Sequence, residues 1–284
     1  MTNVLSVKHN AGFYSCCLAR LLESIKYYNE YKILPEIDSS QQWAYYKDIE
    51  GDVTSKFFKH NTSTVNIPNI KLAHNTKDTL ADPQFISYYN INYKDVSPFI
   101  DKYFTPSEEV DYLANNILQK YNIDLKNTIG VCYRGNDKHT ETHLPSYEEV
   151  LSKIEEVLKK SPNSKILLQS DEIEFCDFMK RKFPNAIIID ETKKINKSNT
   201  AIQFTVESGN KVIQAQTFLA VMQILSKCST VILNSGNVGL WICLFRKNSK
   251  EVHQYLNIKT DICHPDYLGI PVDEHKWVLN ENKL

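Results

Sequence analysis

Arginine is nearly missing from this 284-residue chain: four of its 33 basic residues are Arg (Arg20, Arg134, Arg181 and Arg246), and the other 29 are Lys. Other scarcities exclude whole classes of function. The 33 basic residues are met by 34 acidic ones, leaving a formal charge of −1. No basic stripe of the kind that binds nucleic acid is expected, and no nucleic-acid partner. No apolar run approaches the ~20 residues that cross a bilayer, so no transmembrane segment is expected. Lys8, His9, Asn10 and Arg20 interrupt the stretch where a secretory signal would be continuously apolar. The seven cysteines form no C-x-x-C pair, and the adjacent Cys16 and Cys17 suit neither a simple disulfide nor a zinc site. A reduced, cytoplasmic protein that uses cysteine as a small core residue is expected, and the N-x-[ST] sequon at Asn61 has no role in such a chain. D-x-D, G-x-x-x-x-G-K-[ST] and G-x-G-x-x-G are all absent. Their absence removes the common acidic anchor for a metal-bound nucleotide diphosphate and weighs against kinase, ATPase and dehydrogenase chemistry. His139 and His143 are four apart, but H-T-E-T-H is not H-E-x-x-H, and no metal site is expected.

What is present is organised. Short β-branched runs at Thr128–Tyr133, Lys165–Gln169, Ala186–Asp190, Thr230–Leu233 and Glu251–Tyr255 alternate with helical periodicity. The helical stretches are Ser146–Lys160, Glu172–Lys182, Val212–Lys227 and Val238–Phe245. Ser146 and Glu149 have the spacing of a capping box. This alternation predicts a parallel α/β sheet. The first forty residues repeat the grammar: a strand at Asn3–Val7, a tight turn, a helix over Phe13–Tyr28, and a strand over Lys32–Asp38 limited by Pro35. Residues 39–104 are aromatic-rich and irregular, and Thr105, Pro106 and Glu108 read as cap, first-turn proline and capping-box acid of a connecting helix ending near Tyr121. Two α/β units, 1–120 and 121–284, are expected to face a cleft, the second with the more regular sheet and a C-terminal tail.

In open parallel sheets ligands bind beyond the carboxyl ends of the strands, so the post-strand segments are the candidates for chemistry. The first, Arg134 to Leu144, packs cations, acids and histidines behind a buried strand. Arg134 offers a planar fork for phosphate, Lys138 a point charge, Gly135 close backbone approach, and Glu141 a general base. A solvated loop in which Asp137 pairs with Arg134 is the local alternative. Ser170-Asp171-Glu172 places two acids at a strand end, where Ser170 or Asp171 could equally serve as an ordinary helix cap. Asn234-Ser235-Gly236-Asn237 offers hydroxyl, amide and backbone N–H groups at a helix start, or simply a tight turn.

Together these segments resemble the superfamily of α1,6-, α1,2- and protein O-fucosyltransferases. The family motif H-x-R-x-x-D is similar to Cys132-Tyr133-Arg134-Gly135-Asn136-Asp137, with Cys132 in place of His and Lys138 following. Ser170-Asp171-Glu172 is similar to the acid pair after the next strand, and Leu225-Ser226 through Ser235-Gly236-Asn237-Val238 to the last motif. Asn10-Ala11-Gly12-Phe13-Tyr14 resembles the turn facing the donor phosphates. An acid in the helix before the last motif is replaced by Val221 or its apolar neighbours, and the family's catalytic glutamate falls near Glu141 or Thr142.

The resemblance implies a GT-B-like α/β fold of two Rossmann-type domains, an acceptor side at 1–120 and a donor side at 121–284. It implies an inverting, metal-independent glycosyltransferase with a GDP-fucose donor and a glycan acceptor, the aromatics of 39–104 forming the acceptor side. Arg134, Asp137, Lys138 and Glu141 are then the catalytic residues, and Gly12, Phe13, Asp171, Glu172, Ser235, Gly236 and Asn237 the donor-binding ones. Another nucleotide-sugar donor, or a binding protein without activity, fits the same motifs. Of the four arginines, only Arg134 lies in such a motif with a bidentate task that Lys would perform poorly.

Overall fold

A computed structural model of the chain describes residues 4–59, 83–256 and 276–280. Asn61, Cys263, part of the aromatic-rich 39–104 stretch and much of the C-terminal tail lie outside the described residues.

The first unit is a β-α-β turn of chain. Strand β1 (Val4–His9), helix α1 (Phe13–Tyr31) and strand β2 (Glu36–Gln42) form a parallel pair with a crossover helix. Pro35 has no N–H for a ladder, and β2 accordingly starts just after it. Helix α2 (Tyr93–Tyr103), unannounced in the irregular stretch, buries Val96, Phe99 and Ile100 and tolerates Pro98 in its interior. Helix α3 (Glu108–Lys120) links to the second unit. Its cap is Ser107, whose Oγ accepts from the Val110 N–H at 3.3 Å. Thr105, expected as the cap, instead donates its hydroxyl to the Asp101 carbonyl at 2.7 Å, and Pro106 precedes the helix in a bridge with Phe58.

The second unit alternates as the sequence predicts. It runs β3 (Thr128–Tyr133), α4 (Tyr147–Lys160), β4 (Lys165–Ser170), α5 (Ile173–Lys182), β5 (Ile187–Ile188), α6 (Lys211–Ser226), β6 (Thr230–Asn234), α7 (Asn237–Arg246) and β7 (Val252–Leu256). The α4 capping box is present in full, with Ser146 and Glu149 each bonded to the other's backbone. A further strand, β8 (Lys276–Asn280), adds antiparallel to β7. The strand order is β5-β4-β3-β6-β7-β8. The chain therefore builds outward from β3 on one side, then returns to build outward on the other, which makes β3/β6 the topological switch point.

Two cores flank this sheet. One, from Val150, Ile154, Phe175 and Met179, seats α4 and α5 against one face. The other joins α6 and α7 on the opposite face to α1, α2 and α3, running from Phe13 through Val221 and Trp241. Val221 and its apolar neighbours Ala220 and Met222 are fully enclosed in that core. The six described cysteines are buried and unpaired. Among the described residues no helix is long and apolar enough to cross a membrane.

Arg246, outside the motifs that include Arg134, also has a multidentate task. Its guanidinium donates to the carbonyls of Ser226, Cys228 and Ser229 at 3.1, 2.6 and 3.0 Å, and its Nε to that of Lys250 at 3.1 Å. One fork thus gathers carbonyls from the end of α6 and from the turns that follow α6 and α7, a geometry that a lysine ammonium could not cover. Arg20 is buried, donating to Ser39 Oγ at 2.6 Å beside the Tyr103 and Phe104 rings.

Candidate functional site

Beyond the carboxyl ends of β3, β4 and β6 lies a cleft of about 630 Å³, walled on its other side by the β1–α1 turn and the Tyr45–Tyr46 segment. Asn234 stitches the switch point. Its Oδ1 accepts from the Arg134 N–H at 2.9 Å, and its Nδ2 donates to the Arg134 carbonyl at 3.2 Å. Arg134 thereby leaves β3 in a fixed direction.

The Arg134 guanidinium is held between two carboxylates. Nη2 donates to Asp137 Oδ1 at 3.2 Å, and Nη1 stands 2.9 Å from Asp171 Oδ2. The second contact is a charge pair without hydrogen-bond geometry, because that enclosed oxygen has no hydrogen-bond partner. A fifth of the Arg134 side chain stays open to the cleft. Burial works against its charge, but Asp171 and Asp137 more than offset that and raise its pKa. For Asp137 the balance tips the other way. Burial pushes its carboxyl pKa up against the pull of Arg134, and Asp171 and Glu141 push in the same direction.

The segment after Arg134 is shaped by the acids beneath it. Asp171 Oδ1 accepts the Gly135 N–H at 2.9 Å, and Glu172 Oε1 accepts the Asn136 N–H at 2.7 Å. Glu172 Oε2 takes the Tyr147 hydroxyl at 2.5 Å. Asn136 sits at φ 37°, a left-handed conformation that Asn tolerates better than most residues. Its amide ties the Asp171 carbonyl (2.8 Å) to the Ser198 N–H (2.9 Å). Glu172, expected at the donor, is fully buried with both oxygens occupied and does not line the cleft. Gly135, expected to admit a ligand, has the Glu172 carboxylate against its open face instead. Asp171 lines the cleft, though it is almost wholly enclosed.

Lys138 and Glu141 form the second charged pair, 2.5 Å apart. The Lys138 ammonium also donates to Gln84 Oε1 at 3.1 Å, lies 5.1 Å from the Phe85 ring centroid, and is nearly buried. Glu141 remains 44% exposed at the cleft. His139 and His143 are exposed and do not line the cleft, and among the described residues no group of His, Cys, Asp and Glu converges as a metal site.

The β6–α7 turn is more fully committed than its sequence implied. Ser235 Oγ donates to the Tyr255 carbonyl at 2.9 Å, as does its N–H at 3.1 Å. The Gly236 N–H is shared by the Gln84 carbonyl (3.1 Å) and the Tyr88 hydroxyl (3.0 Å). These two N–H groups, expected to face phosphate, are thus spent within the protein. Asn237 keeps an enclosed Oδ1 without a hydrogen-bond partner among the described residues. Gly236 has φ 145°, and a β-carbon there would stand 2.8 Å from Lys138 Cε, so glycine is needed twice over. At the opposite wall Gly12 opens α1 with free space around its Cα. The Phe13 N–H, expected near the donor, is capped by the Tyr46 hydroxyl at 2.8 Å.

Gln84, Tyr46 and Tyr88 are neighbours of the cleft residues that sequence reasoning did not rank, and Asn234, read there only as part of the turn, is the one that fixes Arg134. Most of the described aromatics of 39–104, including Trp43, Phe57, Phe58 and Tyr88, are core residues. Tyr45 is the exception at the rim, with its ring centroid 5.1 Å from that of Phe204. Cys132, where the family motif has His, lies at the cleft floor with its thiol pushed by burial to about 12.

No protein-family model matches the chain, and no curated protein matches it. Solved structures do. A NodZ α1,6-fucosyltransferase soaked with GDP-fucose matches with a TM-score of 0.59 at 11% identity, over 93% of this chain and 97% of that one. NodZ co-crystallised with GDP gives 0.56 at 12%, over 90% and 95%. Fucosyltransferase NodZ from Bradyrhizobium gives 0.55 at 11%, over 90% and 96%. The match covers nearly the whole of both chains, and it is one of architecture rather than of sequence: this chain has the GT-B-like α/β fold of the NodZ fucosyltransferases.

Proposed function

We propose that the chain is an inverting, metal-independent glycosyltransferase that moves fucose from GDP-fucose to a hydroxyl of a glycan acceptor. The observation that carries this reading is the Arg134 fork, presented to the cleft at the switch point and held by Asp137 and Asp171. As the glycosidic C–O bond breaks, negative charge grows on the β-phosphate, and a rigid guanidinium stabilises it in a site that is already organised. Asp137 and Asp171 orient the fork, and Glu172 supports it one layer down through Asn136 and Tyr147. Glu141 takes the proton of the acceptor hydroxyl as it attacks from the face opposite the leaving group, its carboxylate aimed by Lys138. The NodZ crystals obtained with GDP-fucose and with GDP support the donor class. The exposed Tyr45 and Phe204 rings at the rim offer apolar faces on which an acceptor sugar can stack.

Nucleotide release from a panel of GDP-, UDP- and ADP-sugars tests the reading. GDP release from GDP-fucose is expected, and Arg134→Lys is expected to lower kcat by about 10²–10³, the scale of losing one transition-state donor. Equal turnover by wild type and Arg134→Lys, or release from another donor alone, is the opposing result.

A further inference from the structure

The charges of the cleft do not sum as a phosphate site requires if only its motif residues are counted. Arg134 and Lys138 face Asp137, Asp171 and Glu141, so this inner cluster has one more acid than it has cations. A diphosphate is multiply negative and would be repelled by such a cluster taken alone. Two further cations line the cleft, Lys193 and Lys211. Neither makes an ion pair among the described residues. Lys193 donates to the Thr205 carbonyl, which fixes its position without cancelling its charge. Lys211 belongs to a stripe of α6 with Gln214, Ala215 and Phe218, spaced i, i+3, i+4 and i+7, that forms one wall of the cleft. The backbone at the start of α6 is not the attracting group. Asp48 already accepts the N–H groups of Gly209 (2.8 Å) and Lys211 (3.2 Å), placing a carboxylate at that helix end.

We infer that Lys193 and Lys211 form a recruiting subsite for the diphosphate of the donor, supplying the uncompensated positive charge of the cleft. This rests on the nucleotide-sugar reading above and divides the work within it. Arg134, its charge already paired, serves the bond-breaking step, whereas the two lysines set ground-state affinity.

Binding of GDP, inorganic pyrophosphate and guanosine, measured calorimetrically at low and high salt, separates the roles. In Lys193→Met/Lys211→Met the Kd for GDP and for pyrophosphate is expected to rise about tenfold or more at low salt, with the gap closing at high salt. Guanosine binding is expected to change less than twofold. Lys211→Met alone removes an ammonium with no partner among the described residues, so it tests the point without a folding penalty, and a rise of about three- to fivefold is expected. In turnover the double variant raises the donor KM with kcat within about twofold of wild type, the reverse of Arg134→Lys. Unchanged GDP affinity in the double variant overturns the subsite and leaves the donor reading standing. Equal losses for GDP and guanosine also overturn it, because the lysines would then hold the nucleoside. Lysine-dependent pyrophosphate binding in a protein that ignores GDP supports the subsite and contradicts the GDP donor. Binding of none of the probes to wild type overturns both.

Discussion

Replacing Gly135 by alanine tests the packing that aims Arg134. The added β-carbon would stand 2.1 Å from Cδ and Oε1 of Glu172 and 2.6 Å from Oε2, so the carboxylate must leave its place. Its partners, the Asn136 N–H and the Tyr147 hydroxyl, then lose a charged acceptor in a region where Glu172 and Asn136 are each 1% exposed. Hydrogen bonds to charged groups contribute about 1.5–3 kcal/mol each, which sets the expected loss at about 3–6 kcal/mol. That is a large part of the ~5–15 kcal/mol that holds a domain folded. Urea unfolding followed by tryptophan fluorescence measures it as a lower midpoint at unchanged slope. Glu172→Ala should cost at least about 1 kcal/mol less in the Gly135→Ala background than in wild type, since the obstructed group is gone. A Gly135→Ala variant within about 0.5 kcal/mol of wild type would refute the reasoning, for it would mean that the loop and Glu172 do not depend on each other.

Other consequences can be measured separately. Tyr88→Phe removes the hydroxyl that bonds both the N–H (3.0 Å) and the carbonyl (2.9 Å) of Gly236, and should lower stability by about 1–3 kcal/mol in the same unfolding assay. Burial, and then the nearby Lys153 charge, lowers the His253 pKa from 6.5 to about 4, so the folded state disfavours its protonation. Stability from this group is therefore full above pH 6.5 and is lost as pH falls from there toward 4, by about 2 kcal/mol with partial solvent screening; His253→Gln should flatten that acid limb of the unfolding curve. Cys132, with its thiol near 12, should resist iodoacetamide at pH 8 in the native protein and react once urea unfolds it, as read by peptide mass spectrometry.

The sequence carried the periodic parts of this architecture well. Alternating buried runs and amphipathic helices announce the parallel sheet, and the Ser146–Glu149 box marks the start of α4, because these signals depend on residues a few positions apart. What escaped depends on distant partners. Antiparallel β8 is set by pairing with β7, and Ser107, the cap in place of Thr105, is held there by its hydroxyl and N–H donating to the carbonyls of Lys56 and Phe57. At the site, the clustering of Arg134, Asp137, Lys138, Asp171 and the β6–α7 turn at one edge follows from strand order and was legible. The inward commitment of Glu172, Ser235 and Gly236 was not, because their partners Tyr147, Tyr255 and Tyr88 lie 25, 20 and 148 positions away. The scarcity of arginine proved informative at more than one place: Arg134 and Arg246 both sit where a fork does what an ammonium could not.

A crystal of the protein soaked with GDP measures the central claim most directly. Diphosphate oxygens within hydrogen-bond reach of the Arg134 guanidinium, with the fork still backed by Asp137 and Asp171, are expected. Nucleotide bound elsewhere, or a diphosphate that leaves Arg134 without contact, would contradict the account.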